Sequence, residues 1–267
     1  MNIVTLIENL TYNQGLYAEH GLSIYIKAVK KNLLFDTGQT GCFIKNAEKL
    51  KIDISDVDAL IISHGHYDHT GGISEFIKVN NKAKIYIKET AFEKKIHNDG
   101  RQIGIPIKYE EISDRVSFVK KAVEIDKNIF ICPDIKIYNK NDTHFDNLFV
   151  KRKDGAIEVD EFDDELYLAV IKENTVNIFS GCSHRGITNI LQSAIDRFKL
   201  PISHVIGGFH TRNEVLKTIH NIAHYFEKAD VCSLGACHCT GVEEYAELKS
   251  ILKDKIYYNY TGMTTKI

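Results

Sequence analysis

The chain has 267 residues, of which 43% are hydrophobic and 26% are charged. This length and apolar content suit one compact domain, so a single domain is predicted over residues 1–267. With 34 basic and 36 acidic residues the net charge is −2, which excludes a strongly basic nucleic-acid-binding protein.

The sequence also argues against membrane insertion and secretion. No apolar run approaches the roughly 20 residues needed to cross a bilayer. The segment Met1–Leu10 carries Glu8 and lacks a basic flank, which predicts a first strand and not a signal peptide. The expected location is the cytoplasm, where the six cysteines would stay reduced. A membrane partner is not expected. The oligomeric state leaves no signal in the sequence.

The first third of the chain alternates short β-rich runs with amphipathic stretches. Strands are predicted at Ile3–Ile7, Leu22–Val29, Asn32–Phe35, Ala59–Ile62 and Lys84–Ile87, and helices at Gly41–Leu50 and Gly72–Val79. Lys30 and Lys31 form a turn between the second and third strands, which predicts that the first sheet begins antiparallel.

The pattern loosens from about residue 89 to residue 163. Glycines and scattered charges interrupt short β-like pieces such as Asn128–Cys132 and Asn147–Val150. This composition predicts helical and hairpin insertions that shape the mouth of a site. We expect substrate specificity to be determined here.

The second half has clearer elements. Strands are predicted at Leu166–Lys172, Thr175–Phe179, His204–Ile206 and Val231–Leu234, and helices at Ile187–Phe198, Glu214–Phe226 and Val242–Leu252. Asn213 is the expected N-cap of the middle helix. Two sets of strands, each flanked by helices, predict an α/β fold: an αββα sandwich of two mixed β-sheets.

Four metal-capable side chains stand within six positions directly after the apolar run Ala59–Ile62: His64, His66, Asp68 and His69. On an extended backbone, residues i and i+2 point the same way, which predicts that the first three converge while His69 turns aside. Neutral imidazoles and a carboxylate are the usual ligands of zinc, and also of iron or manganese. The spacing therefore predicts a site for two adjacent metal ions.

Three later histidines each follow the end of a predicted strand, in a turn that contains glycine: His184, His210 and His238. Side chains from separate strand ends can assemble a site at the rim of a sheet. The remaining histidines lack such neighbours, and structural or surface roles are predicted for His20, His97, His144, His204, His220 and His224.

The HxHxDH segment within Ile61–Gly72 resembles the signature of the metallo-β-lactamase superfamily of binuclear metallohydrolases. The sequences GCSHxG, GGFH and HCTG around the three later histidines resemble one branch of it. That branch contains 7,8-dihydropterin-6-methyl-4-(β-D-ribofuranosyl)aminobenzene 5'-phosphate synthase and many metal-dependent hydrolases. The resemblance implies the αββα architecture over nearly the whole chain.

The resemblance also implies a ligand set. His64, His66, Asp68 and His69 would be the first ligands, His238 the final histidine ligand and His184 the intermediate one. One departure concerns the turn after the strand that ends at Phe179: most members have a bridging aspartate where this chain has Cys182. Either Cys182 or Asp164 could serve the second metal. Asp36 matches a position that usually supports the metal loop, here the HxHxDH segment His64–His69, by accepting hydrogen bonds.

The function predicted from these residues is a binuclear metal-dependent hydrolase that directs a metal-activated hydroxide at an anionic, preferably phosphorylated, small molecule. Zinc is the expected ion, with manganese or iron as alternatives. Asp68 could both bind metal and orient the nucleophile. His210, if it is not a ligand, could donate a hydrogen bond to developing negative charge. Arg185 could clamp a phosphate or carboxylate through its planar guanidinium.

Narrower and rival functions stay open at this point. A pterin synthase-like activity is the narrower one. A non-catalytic metal-binding sensor or effector protein would keep the ligands without turnover. A di-iron oxidoreductase of the same fold would replace the second histidine of the first motif by glutamate, so His66 argues against it.

Overall fold

The computed structural model describes all 267 residues, which fall into two compact units. The first unit comprises Met1–Lys120, Asp146–Asp164 and Tyr260–Ile267, and the second comprises Lys121–Phe145 and Glu165–Asn259. None of the helices is long and apolar enough to span a membrane. No disulfide links any of the six cysteines. A single domain over the whole chain stays a prediction.

The first unit is built on a seven-stranded mixed sheet. Its strands, numbered in chain order, are β1 (Asn2–Ile7), β2 (Ser23–Lys27), β3 (Asn32–Phe35), β4 (Ala59–Ile61), β5 (Lys84–Ile87), β7 (Val116–Phe118) and β17 (Thr264–Lys266). The spatial order is β17-β1-β2-β3-β4-β5-β7. Pairing is antiparallel from β17 to β3 and parallel from β3 to β7, so the predicted antiparallel start is confirmed.

A second, smaller sheet and three helices complete the first unit. The antiparallel sheet holds β6 (Lys94–His97), β10 (Leu148–Lys151) and β11 (Ile157–Val159). The helices are α1 (Cys42–Lys49), α2 (Tyr67–Thr70) and α3 (Ile73–Val79). Phe43 on α1 and Phe76 on α3 are fully buried in one cluster with Leu34 and Leu60 of the large sheet, which fixes these helices on it.

The second unit repeats this plan around a second seven-stranded mixed sheet. Its strands are β8 (Val123–Asp126), β9 (Ile129–Cys132), β12 (Tyr167–Lys172), β13 (Thr175–Phe179), β14 (Ile202–Gly208), β15 (Ser233–Cys237) and β16 (Ile256–Tyr258). Pairing is antiparallel from β8 to β13 and parallel from β13 to β16. Helices α4 (Ile187–Phe198), α5 (Leu216–Lys228) and α6 (Val242–Leu252) share a buried cluster with this sheet.

The predicted fold class is therefore confirmed: two large mixed sheets with helices, one β-layer and its helices from each unit. Two local predictions need correction. The segment 89–163 contains hairpins, as predicted, in β8–β9 and β10–β11, but its helical pieces are short 3-10 turns and none is an α-helix. Helix α5 begins at Leu216 and not at Glu214, because Asn213 adopts a left-handed backbone (φ 66°) that cannot cap it, and Val215 occupies the cap in an extended conformation.

Candidate metal centre

In the first unit, the candidate metal residues follow two neighbouring parallel strands. Phe35 of β3 pairs with Ile61 of β4, so the residues just beyond these strands emerge at one edge of the sheet. Asp36 follows β3 directly, and Ser63 and His64 follow β4. This topology explains why positions almost thirty residues apart in sequence meet there.

The loop after β4 gathers all four predicted first-motif side chains. The ring centroid of His64 lies 4.7 Å from that of His66 and 4.4 Å from that of His69. Nε2 of His69 lies 3.7 Å from an Asp68 carboxylate oxygen. The prediction that His69 turns aside is wrong, because the chain enters helix α2 after His66 and a helical turn replaces the i, i+2 alternation.

Asp36 supports this loop as predicted. Its fully buried carboxylate accepts hydrogen bonds from the backbone amide and the hydroxyl of Ser63, both at 2.7 Å. The same carboxylate accepts from Nδ1 of His69 at 2.7 Å. Thr37 adds two bonds, from its amide and its hydroxyl, to the carbonyl of His69. Both ends of the metal loop are thus held by residues 36 and 37.

These hydrogen bonds decide which ring nitrogen of each histidine carries the proton. A carboxylate only accepts, so Nδ1 of His69 must donate to Asp36. The Ser63 hydroxyl donates its hydrogen bond to Asp36. It therefore accepts a hydrogen bond from Nδ1 of His64, 2.9 Å away. In both rings the lone pair therefore resides on Nε2, the arrangement that outer hydrogen bonds impose on metal-binding histidines.

Burial favours the neutral, metal-binding form of His64 and His66. Loss of solvation lowers the pKa of His66 to about 3 and lowers the pKa of His64 well below its ordinary value. Neighbouring histidines act in the same direction on His64, and the Asp68 carboxylate opposes them. The donor set of three imidazoles and one carboxylate fits a divalent transition metal.

Asp164, the alternative to Cys182 as a ligand, already has two partners in the first unit. One oxygen accepts from the amide of Gly65 at 2.7 Å, and the other lies 2.9 Å from Nζ of Lys95. Burial alone would raise the pKa of Asp164, but Lys95 and the Gly65 amide lower it below its ordinary value. Sequence reasoning missed Lys95, because a lysine in a strand is normally exposed.

In the second unit, three parallel neighbouring strands deliver the later histidines. Strands β13, β14 and β15 lie side by side, so their carboxyl ends share one edge of the sheet. His184, His210 and His238 follow these strands in that order, as the sequence predicts. Cys182 and His238 are both buried, with candidate ligand atoms within 4.8 Å of each other.

The turn that carries His184 is shaped by a buried carboxylate. The two oxygens of Glu165 accept from the amides of His184 and Arg185, at 2.7 and 2.8 Å. Nδ1 of His184 lies 3.3 Å from the carbonyl oxygen of His144, which can only accept. The lone pair of His184 is therefore also on Nε2, the same tautomer as in the first unit.

His210 packs between two other imidazoles in the second unit. Its ring centroid lies 4.3 Å from that of His184 and 4.8 Å from that of His144, to which it is nearly parallel. His144 contacts Glu214 through one ring nitrogen and Asp142 through the other, at 3.1 and 3.2 Å. Burial lowers the pKa of His144, but the two carboxylates outweigh burial and raise this pKa above its ordinary value.

These contacts place His144 beside a candidate catalytic residue, which the sequence did not indicate. A similar contact was missed in the first unit, where Nε2 of His20 lies 3.2 Å from Asp68. Arg185, the predicted substrate clamp, is half-buried and donates from Nε to the carbonyl of Ile135 at 3.2 Å. Its role in substrate binding stays a prediction.

Comparisons with known proteins agree with this architecture. The family model of the metallo-beta-lactamase superfamily matches residues 16–119. The chain is 28% identical over 260 residues to 7,8-dihydropterin-6-methyl-4-(beta-D-ribofuranosyl)-aminobenzene-5'-phosphate synthase of Methanocaldococcus jannaschii, covering 90% of this chain and 88% of that protein. An uncharacterized protein of the same organism, MJ0448, is 28% identical over 270 residues, covering 97% and 98% of the two chains.

A solved structure extends the likeness to the whole fold. The crystal structure of Tm1679, described as a metal-dependent hydrolase of the beta-lactamase superfamily, is 32% identical to this chain. The match covers 100% of this chain and 99% of that one, with a TM-score of 0.89. The HxHxDH loop, the two mixed sheets and this full-length likeness lead to one conclusion: the chain belongs to the metallo-β-lactamase superfamily.

Proposed function

We propose that the protein is a hydrolase that depends on two divalent metal ions, with zinc expected and manganese or iron as alternatives. The proposed ligands are His64, His66, Asp68, His69, His184, His238 and Cys182. One observation carries the proposal. His64, His69 and His184 each engage Nδ1 in a hydrogen bond to the protein, which leaves the Nε2 lone pair for a metal.

Metal ions bound by these side chains would act as Lewis acids and lower the pKa of a water molecule towards neutrality. Around them, this chain's own residues would orient the reactants. Asp68, held beside His69 and His20, would accept a hydrogen bond from the attacking water and set its direction. His210, half-buried between two rings, would donate a hydrogen bond to negative charge that develops on the substrate.

The proposed substrate is a small anionic molecule, with a phosphorylated one preferred. Arg185 would bind the anionic group, since a guanidinium presents planar paired donors to phosphate or carboxylate. The named relative from M. jannaschii is a synthase whose product name contains a 5'-phosphate, which supports this class. A pterin synthase-like reaction is the narrower form of the proposal.

A substrate panel tests the proposal. Chromogenic phosphomonoesters, phosphodiesters, lactones and thioesters are supplied to protein purified without chelators, and bound metal is measured by elemental analysis. We expect about two metal ions per chain and turnover of at least one phosphate ester. Bound metal with no turnover of any class would favour a sensor or effector protein. Iron with a redox-active spectrum would favour the oxidoreductase.

Replacing Cys182 tests whether the thiol is a ligand in place of the aspartate of other members. A thiolate is a strong zinc ligand, so Cys182→Ala is expected to reduce the metal content from about two ions per chain towards one. Cys132→Ala is the matched control, because this thiol is also buried and burial raises its pKa to about 11, which disfavours the metal-binding thiolate. Equal metal content in both variants would exclude Cys182 from the ligand set.

A further inference from the structure

The first unit contains a buried lysine that the proposed chemistry does not use. The side chain of Lys95, on β6, is only 2% exposed. Its ammonium lies 2.5 Å from an oxygen of Asp160 and 2.9 Å from one of Asp164. Burial lowers the pKa of Lys95, but the two carboxylates outweigh burial and raise it, so the lysine is charged.

Such a buried ion cluster contributes little to the net stability of the fold. Removing charges from water costs several kcal/mol per ion, and a buried ion pair is often no more stabilising than apolar residues of the same volume. A buried cation between two carboxylates is therefore better explained by the geometry that it imposes.

One of the two carboxylates reaches the metal loop. One oxygen of Asp164 accepts a hydrogen bond from Lys95, and the other accepts one from the amide of Gly65 at 2.7 Å. Gly65 lies between His64 and His66 in the sequence. The backbone there is tightly packed, since a Cβ on Gly65 would lie 2.3 Å from the carbonyl oxygen of Ala91. A carboxylate is a stronger acceptor for this amide than a neutral group.

A second contact connects the same cluster to the histidines. The ring of Phe162 lies with its centroid 5.0 Å from Nζ of Lys95 and 5.2 Å from the centroid of the His66 ring. Asp160, by contrast, accepts from Lys95 and from the amide of Phe162, and it makes no contact with Gly65 among its hydrogen bonds. The two aspartates thus differ in which backbone segment they hold.

We propose that Lys95 is a positioning residue which, acting through Asp164, fixes the backbone between His64 and His66 in its metal-binding conformation. The inference rests on the proposed function, because it assumes that these histidines bind metal. It also assigns Asp164 to holding the loop instead of ligating the second metal. Lys95 orients Asp164, and Asp164 in turn orients the Gly65 amide.

The two aspartates provide a matched pair of isosteric variants. Asp164→Asn and Asp160→Asn each remove one acceptor next to Lys95, but only the first weakens the bond to Gly65. In metal-free protein, hydrogen exchange at the Gly65 amide is expected to be at least tenfold faster in Asp164→Asn than in Asp160→Asn. Thermal unfolding of both variants checks that they are equally folded. Equal exchange rates in the two would overturn the inference.

Metal affinity provides the second readout, measured with Co²⁺ by competition against a chelator and by the visible spectrum of the bound ion. Replacing a residue that orients a metal ligand typically lowers metal affinity by about 10- to 100-fold. We expect such a loss in Asp164→Asn and Lys95→Met, and a change below about threefold in Asp160→Asn.

Lys95→Met separates positioning from a purely electrostatic effect and from direct ligation by Asp164. If the cluster acted only through its charge, removing the lysine would make the site more negative and tighten metal binding. If Asp164 were itself a ligand, Lys95→Met would leave affinity unchanged while Asp164→Asn lowered it. Either result would overturn the inference. Should Lys95→Met not fold, the aspartate pair still decides. Absence of metal from the wild type would refute the proposed function instead.

Discussion

His64→Ala is expected to remove most of the bound metal and to lower hydrolase activity by more than about 100-fold. Replacing even a residue that only orients a metal ligand lowers metal affinity or activity by about 10- to 100-fold. His64 is fully buried, and its ring packs between His66 and His69. Its truncation therefore removes one ligand and also loosens its neighbours. Elemental analysis and turnover of the substrate found in the panel measure the two effects.

The control for this variant is His224→Ala, which removes an imidazole from the exposed side of α5. The control should keep wild-type metal content and activity, which shows that the loss is specific to the loop. Full metal content in His64→Ala would remove the first motif from the proposed ligand set. Metal loss with undiminished turnover would instead show that hydrolysis does not need the ions.

The second large effect is expected from Asp36→Asn, a change that keeps the shape of the side chain. Asparagine tolerates the left-handed backbone of this position, where φ is 58°. In the wild type, Nδ1 of His69 donates to the Asp36 carboxylate. The asparagine amide group would place a second donor opposite this nitrogen. His69 must then accept at Nδ1 and carry its proton on Nε2, which removes the lone pair needed for a metal.

We expect the metal affinity of Asp36→Asn to fall by about 10- to 100-fold. Nitrogen NMR of the metal-free protein should show the His69 proton moved from Nδ1 to Nε2. Asp58→Asn is a suitable control, because Asp58 accepts a backbone amide, that of Asn32, within the same unit and contacts no histidine. An unchanged His69 tautomer in Asp36→Asn would contradict the hydrogen-bond assignment in the loop.

The local pattern of the chain was enough to locate most elements and the main candidate residues. Apolar runs of four to six residues ending in glycine or polar turns placed β3, β4, β12 and β13 within one or two residues of their observed limits. The HxHxDH spacing identified the metal loop because so many ligand-type side chains rarely follow a buried strand without a shared role. Both signals are carried by neighbours in sequence.

The predictions that were wrong concern features that the local sequence pattern does not show. The direction of His69 was decided by helix α2, whose four residues are too short to leave a periodic pattern. The segment 89–163 forms strands that pair with partners far along the chain, as β6 does with β10, and its own composition does not show this.

The sequence by itself determined the superfamily, the order of strands and helices, and the side chains able to bind metal, because these are written in residue type and spacing. Only the tertiary structure decided the tautomers of His64, His69 and His184 and the place of Lys95. Each of these depends on a hydrogen-bond partner brought near by folding. The proton positions and charges of a site are properties of the folded chain, and sequence spacing does not determine them.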